Sequence, residues 1–307
     1  MPIRVPDNLP SYKELLEEDI FVMKATRAMN QEIRPLEILI LNLMPNKSET
    51  EGQLLRLLSN SPLQVNVEFL AMKTHTSKNC PSEHLAEFYK SFDEIKNYFY
   101  DGLIITGAPV EKMAFEDVDY WDEITQVFDW SKTHVFSTLH ICWGAQAGLY
   151  YHYDVEKILL DKKLSGIFVH DLKHRDNDIT RGYDDVFYAP HSRNTGINRA
   201  QVEAVPELEI LADSPDAGIF LIGHKDNRAY FATGHLEYDR DTLKKEYKRD
   251  EKVGINPEVP ANYFAGDDVS SRPKMNWHMA ATLLFSNWLN YSVYQNTPYK
   301  LSDIENL

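Results

Sequence analysis

The chain has 307 residues, 43% of them hydrophobic, enough to bury a large core. Its 32 basic and 47 acidic residues leave a formal net charge of −15, which argues against nonspecific binding to nucleic acid or an anionic membrane. No apolar run approaches the ~20 residues of a membrane span, and Met1-Pro2-Ile3-Arg4-Val5-Pro6 lacks the apolar core of a secretory signal.

A cytoplasmic location with reduced thiols is therefore expected. The two cysteines, Cys80 and Cys142, stand far apart, and no Cys/His spacing points to a zinc site, so no metal is expected. Walker A and GxGxxG sequences are both absent. An anionic small substrate remains compatible with the charge, since one arginine or a helix N-terminus can hold it.

Residues 1–35 read as an acidic, helix-leaning arm around Tyr12-Lys13-Glu14-Leu15-Leu16-Glu17-Glu18 that packs on the core. Leu36 to Met44 is a short, branched apolar run, the pattern of a strand buried on both faces, and Pro45 ends it. Ser48 to Leu58 reads as a helix, with Glu49 and Glu51 in its first turn. A second strand is expected at Val65–Leu70, an amphipathic helix at Ser82–Asn97 and a third strand at Gly102–Thr106, closed by Gly107-Ala108-Pro109. Trp121 to Trp130 reads as helix and Val135 to Leu139 as strand. Strands alternating with helices imply a parallel sheet covered on both faces.

Beyond residue 180 the pattern changes to shorter strands at Phe187–Ala189, Ile219–Ile222 and Ala229–Ala232. A charged helix follows at Asp241–Asp250, and a final amphipathic helix at Asn276–Tyr294. Trp121, Trp130, Trp277 and Trp288 fall on helical patterns and are expected in the core. No linker interrupts the chain, so residues 1–307 are expected to form one α/β domain, with residues 36–307 as its core.

His140-Ile141-Cys142-Trp143-Gly144 carries the chemistry. It places a cysteine at a sharp strand-to-helix turn, with a glycine two residues on that lets the turn close. The helix start carries partial positive charge, which favours the reactive thiolate. Cys142 is thus a candidate nucleophile. Its base is sought in Phe231-Ala232-Thr233-Gly234-His235-Leu236-Glu237, where a short strand delivers His235 at its end and Glu237 can fix the imidazole tautomer. An anionic tetrahedral intermediate needs donors. The N–H of Trp143 is the first candidate, Gly107 the second and Lys47 the third.

His140 to Gly144, together with Gly234-His235-Leu236-Glu237, resembles the class I glutamine amidotransferase-like architecture. Within it the chain is similar to the homoserine transacylase family, whose members are homoserine O-succinyltransferases or O-acetyltransferases. Asn42–Lys47, Ile105–Glu111, Ala189–Arg193 and Asn287–Tyr291 carry that likeness. His140 stands where glutamine amidotransferases usually have glycine, which weighs against glutamine hydrolysis.

The resemblance implies an α/β fold with a parallel or mixed sheet flanked by helices, elaborated at both termini. It implies Cys142 as acyl-thioester nucleophile, His235 as proton acceptor and Glu237 as its partner, with Lys47 assisting the oxyanion. Lys163, Ser192 and Arg249 match substrate-associated positions. Acetyl-CoA is the implied co-substrate, L-homoserine the acceptor, and a homodimer the implied assembly. Glu246 and Arg249 lie three apart on one predicted helix face, placed to take the ammonium and carboxylate of homoserine.

In this family the position of Glu111 acts as an acyl selector, glycine going with succinyl and glutamate with acetyl transfer. Two like charges ~4 Å apart repel by about 4 kcal/mol at an effective dielectric near 20. Exclusion of one or two methylenes by bulk alone gives less, on the order of 1–3 kcal/mol. The expected reaction is therefore acetyl transfer from acetyl-CoA to L-homoserine through a cysteine acyl-enzyme. The alternatives are succinyl transfer, a glutamine amidotransferase-type hydrolase, or a redox sensor built on Cys142.

Overall fold

The computed structural model describes residues 3–6, 8–17, 22–24, 34–74 and 80–307. Its strands are β1 (Ile3–Val5), β2 (Val22–Lys24), β3 (Leu36–Leu41), β4 (Val65–Leu70), β5 (Tyr89–Lys90), β6 (Tyr100–Ile105), β7 (Val135–Ile141), β8 (Lys157–Leu172), β9 (Val186–Ile197), β10 (Leu208–Ser214), β11 (Gly218–His224) and β12 (Ala229–Ala232). Among the described residues they form one sheet, ordered β2-β1-β4-β3-β6-β7-β12-β11-β10-β8-β9, with β5 paired to β4. The half from β2 to β12 is parallel. From β12 to β9 every pairing is antiparallel. The fold is thus mixed α/β, as expected.

The parallel half is buried because alternate residues feed two separate layers. Ile38, Ile40 and Ile104 pack with Leu54, Leu55 and Leu58 of the helix Lys47–Ser59 and with Trp277 and Trp288. Leu39, Leu41, Leu103 and Ile105 pack on the other face with Ile124, Val127 and Phe128 of the helix Trp121–His134. Both layers need branched apolar side chains, which explains the near-continuous apolar runs of β3, β6 and β7.

Three differences from the sequence expectations have simple causes. β1 of the expected arm joins the sheet, pairing Ile3 with Val65 in β4, and a helix spans Ser11–Glu17. The expectation for residues 1–2, 7, 18–21 and 25–33 lies outside the described residues. The expected helix Ser82–Asn97 breaks at Tyr89–Lys90, which pairs with β4, and restarts at Phe92 behind a Ser91/Glu94 capping box. The final helix is α-helical over His278–Asn287 and continues as a π-helix over Trp288–Tyr294.

β8 and β10 are not foreseen by the sequence reading. The 16-residue β8 has exposed and half-buried positions along its first half, so its apolar pattern is weak. Its hairpin with β9 runs from Lys157↔Ile197 to Asp171↔Val186. No helix among the described residues is long and apolar enough to cross a membrane.

Candidate active site

The parallel register decides where the reactive side chains meet. Ile105 of β6 lies beside His140 of β7, and Ile141 of β7 lies beside Ala232 of β12. The three strands therefore end together, at Gly107, Cys142 and His235. This carboxyl edge is where the loops of an open α/β sheet form a crevice.

Cys142 sits between β7 and the helix Trp143–Tyr153 with φ 52° and ψ −114°, a left-handed conformation that a non-glycine residue rarely adopts. Two contacts hold it there. Its N–H donates to Ala232 O at 2.7 Å, and its carbonyl accepts from Gln146 N at 3.1 Å. The turn closes only because residue 144 is glycine: a Cβ there would lie 2.7 Å from Thr106 O and 2.8 Å from Ile105 O. Helix and strand thus meet backbone to backbone.

His235 hydrogen-bonds Cys142 through its ring, and its Nδ1 pairs with Glu237 Oε1 at 2.6 Å. His235 and Glu237 are both buried. Burial by itself disfavours the imidazolium. The charges of Cys142 and Glu237 and their hydrogen bonds outweigh it, and the His235 pKa lies well above the ordinary histidine value. Tyr238 stacks on the imidazole at 4.1 Å between centroids, fixing the ring plane. Gly107 lies flush against this pair: a Cβ there would be 3.2 Å from Cys142 Cβ and 3.4 Å from His235 Cε1.

A cleft of about 370 Å³ opens on these residues, lined among others by Gly107, Glu111, Cys142, Lys163, Ser192, Asn194, His235, Tyr238, Glu246, Arg249 and Asp250. Glu111 accepts from Asn194 N at 2.8 Å and from the Asn194 side-chain amide, so its carboxylate is fixed across the cleft. Glu246 accepts from Tyr238 Oη at 2.9 Å and from Ser192 Oγ. Lys163 lies 3.7 Å from Glu246 and 3.1 Å from Asp250. Arg249 donates to Asp250 Oδ1 through Nε at 2.9 Å and Nη2 at 2.7 Å.

Lys47, expected beside the oxyanion donors, is directed elsewhere. Its ammonium donates to the Asn42 carbonyl and lies 5.7 Å from the Tyr89 ring centre. Burial draws its pKa down to about 8. A neighbouring network explains this position: Glu51 Oε1 accepts from Tyr89 Oη at 2.7 Å and pairs with His84 Nε2 at 2.8 Å, and Asn42 donates to Tyr89 Oη. His140 is equally remote in role. It is buried in β7, stacked on Phe231 at 4.7 Å, with Nδ1 against Gly144 O.

Sequence reasoning missed Asp250, Asn194, Tyr238 and Arg193. Asp250 sits one residue from Arg249, and its acidity was the available signal. Asn194 and Arg193 lie on β9, beyond the predicted strand ending at Ala189; Asn194 lines the cleft and Arg193 is buried.

The profile of the family described as homoserine O-succinyltransferase matches residues 2–299. The chain belongs to that family. It is 56% identical over 304 residues to a homoserine O-acetyltransferase of Clostridium botulinum (strain Eklund 17B / Type B), covering 99% of each chain. It is 57% identical over 307 residues to a homoserine O-acetyltransferase of Catenibacterium mitsuokai, covering 99% of this chain and 98% of that one. A glutamine amidotransferase from Thermotoga maritima shares the fold, with a TM-score of 0.51 at 12% identity over 84% of this chain and 98% of that chain. The fold of this homoserine O-succinyltransferase family member is therefore glutamine amidotransferase-like, the class expected from Cys142 and His235.

Proposed function

We propose that this protein transfers an acetyl group from acetyl-CoA to the hydroxyl of L-homoserine, giving O-acetyl-L-homoserine for methionine synthesis. The observation that carries the reading is the meeting of Cys142 and His235, backed by the buried Glu237, at a cleft whose wall includes the fixed carboxylate of Glu111. The names of the full-length relatives supply the substrate class.

In the first half-reaction the Cys142 thiolate attacks the thioester carbonyl. The oxyanion forms against the N–H of Trp143, the first amide of its helix, and the backbone at Gly107. The carbonyl reforms, the C–S bond to CoA breaks, and His235 delivers its proton to the departing sulfur. In the second half-reaction His235 takes the proton of the homoserine hydroxyl, whose oxygen attacks the acetyl carbon. The bond to Cys142 breaks and the thiolate returns. Glu237 keeps the His235 tautomer that both steps need.

Homoserine's ammonium fits the Glu246 and Asp250 carboxylates, and its carboxylate fits Lys163 and Arg249. Ser192 belongs to the same acceptor site. A homodimer in the cytoplasm completes the proposal.

Mass spectrometry after separate incubation with acetyl-CoA, succinyl-CoA and glutamine tests the reading. An acetyl adduct on Cys142 that homoserine discharges is expected. A succinyl adduct alone would reassign the donor. Ammonia release from glutamine, with no adduct from either thioester, would overturn acyl transfer.

A further inference from the structure

β9 carries a second set of side chains that the proposed reaction does not use. Ser192 and Asn194 face the cleft. The alternate residues His191, Arg193 and Thr195 are buried, as the two-residue period of a strand allows, with Thr195 Oγ1 also 3.4 Å from Glu111. This buried set packs under the turn bearing the cysteine. Thr195 Oγ1 donates to Gln146 Oε1 at 2.9 Å, while Gln146 N donates to Cys142 O at 3.1 Å. Pro190 O accepts from His235 N at 2.8 Å, so the same strand also supports the imidazole.

Arg193 is only 3% exposed, yet it forms no ion pair with a carboxylate among the described residues. Its guanidinium is clamped by neutral acceptors. Nη1 donates to Thr195 O, Nη2 to Ala217 O, and Nε to His191 Nδ1 at 3.3 Å. Accepting from Arg193 obliges His191 to carry its own proton on Nε2, which it donates to His170 Nε2 at 3.0 Å. His191 thus stays neutral: burial and the guanidinium both hold its pKa well below the ordinary value. A buried guanidinium without a carboxylate is costly unless another anion compensates it. Burial draws the Arg193 pKa below the ordinary guanidinium value, and the charges that oppose this are Cys142 first and Glu111 second.

We infer that Arg193 is the fixed cation that holds Cys142 as a thiolate, acting from behind the nucleophile and never touching substrate. It is a positioning residue. The other groups facing Cys142 are His235, Glu237 and Tyr238 on the loop after β12, with Glu111 after β6 and Glu246 on the helix Thr242–Lys252 close by. The cleft's Lys163 and Arg249 are taken up by Glu246 and Asp250. His235 must release its proton during turnover, whereas Arg193 keeps its charge throughout. It therefore stabilises the thiolate that opens the first half-reaction and the one that returns at the end of the second.

The inference rests on Cys142 being the nucleophile, but its test needs no acyl donor. Cys80→Ser leaves Cys142 as the one thiol, and its reaction with iodoacetamide is followed from pH 5 to 10. Arg193→Met should slow alkylation at pH 7 about tenfold and move the midpoint up by about one pH unit. Arg193→Lys, which restores charge without the three-way clamp, should recover most of the rate. A folded Arg193→Met protein with the parent profile overturns the inference. Should the methionine variant fail to fold, the lysine variant decides. A near-parent profile supports the charge, and slow alkylation at pH 7 with an unchanged Tm refutes it. Normal alkylation of the Arg193 parent without any acyl adduct would instead sink the acetyl-transfer reading.

Discussion

The carboxylate of Glu111 is held from two directions by Asn194, through the backbone N–H at 2.8 Å and through the side-chain amide. A glutamate so fixed keeps its charge at one place in the cleft. Repulsion of a second carboxylate, about 4 kcal/mol at ~4 Å and a dielectric near 20, then exceeds the roughly 1–3 kcal/mol of lost space. Glu111→Gly should raise kcat/KM for succinyl-CoA relative to acetyl-CoA at least tenfold. Glu111→Gln, which keeps the bulk, should produce most of the same change. An unaltered ratio in both variants would remove Glu111 from acyl selection.

Glu237→Gln should lower kcat/KM by about 10²–10⁴-fold, the range in which a positioned base acts. The sign of the pH effect follows from the charges. Burial opposes the His235 imidazolium, while Cys142 and Glu237 sustain it. Removing the carboxylate makes the imidazolium lose its proton at lower pH. The alkaline edge of the pH–rate profile should therefore move down, and an edge that stays in place would refute the assignment.

Lys47 gives a pH-dependent stability. Its pKa of about 8 in the folded chain, set by burial, lies below the ordinary 10.5. Between these values the unfolded chain binds the extra proton, so stability rises with pH there. The full difference is on the order of 3 kcal/mol. Lys47→Met should abolish this rise, read as the change in Tm between pH 7.5 and 10. An equal rise in both proteins would show that the ammonium is well solvated.

Two glycines should respond differently to alanine. Gly144→Ala drives a Cβ against the Thr106 and Ile105 carbonyls, backbone atoms that cannot step aside. Overpacking of this kind costs roughly 1–3 kcal/mol, and Tm should fall by several degrees. Gly107→Ala meets Cys142 and His235 at 3.2–3.4 Å, a looser fit, so acylation should fall with little change in Tm. Thermal unfolding and burst kinetics on the two variants check the pair, and matching Tm losses would contradict it.

Asp250→Asn frees Lys163 and Arg249, which it now holds at 3.1 and 2.7 Å. If Asp250 orders the acceptor site, KM for homoserine should rise several-fold while the rate of CoA release is unchanged. A loss confined to the first half-reaction would place Asp250 on the donor side.

Some of this was legible locally. Cys142 announces itself because a strand, a cysteine and a glycine-bearing helix start follow one another within a few residues. His235 and Glu237 are readable for the same reason, being neighbours at a strand end. The run of β3 and the limits of β4 follow from apolar pattern alone. Lys47 misled because a loop position says nothing of where a long side chain points, and the Glu51–Tyr89–Asn42 network took it. Glu246 and Arg249 share a helix face as expected. Yet each chose another partner: Ser192 and Lys163 reach Glu246 from β9 and β8, and Asp250, the next residue on the helix, takes Arg249.

The sequence by itself determined the candidate nucleophile, its candidate base and the layered arrangement of strands and helices, because these are set by residues close together in the chain. Only the tertiary structure decided that Gly107 touches Cys142, that Asn194 pins Glu111 and that Arg193 is buried among neutral acceptors. Those contacts depend on strand register and on the return of β9 beneath the cleft. Register is fixed by packing summed over the whole sheet, and no short stretch of sequence contains that sum.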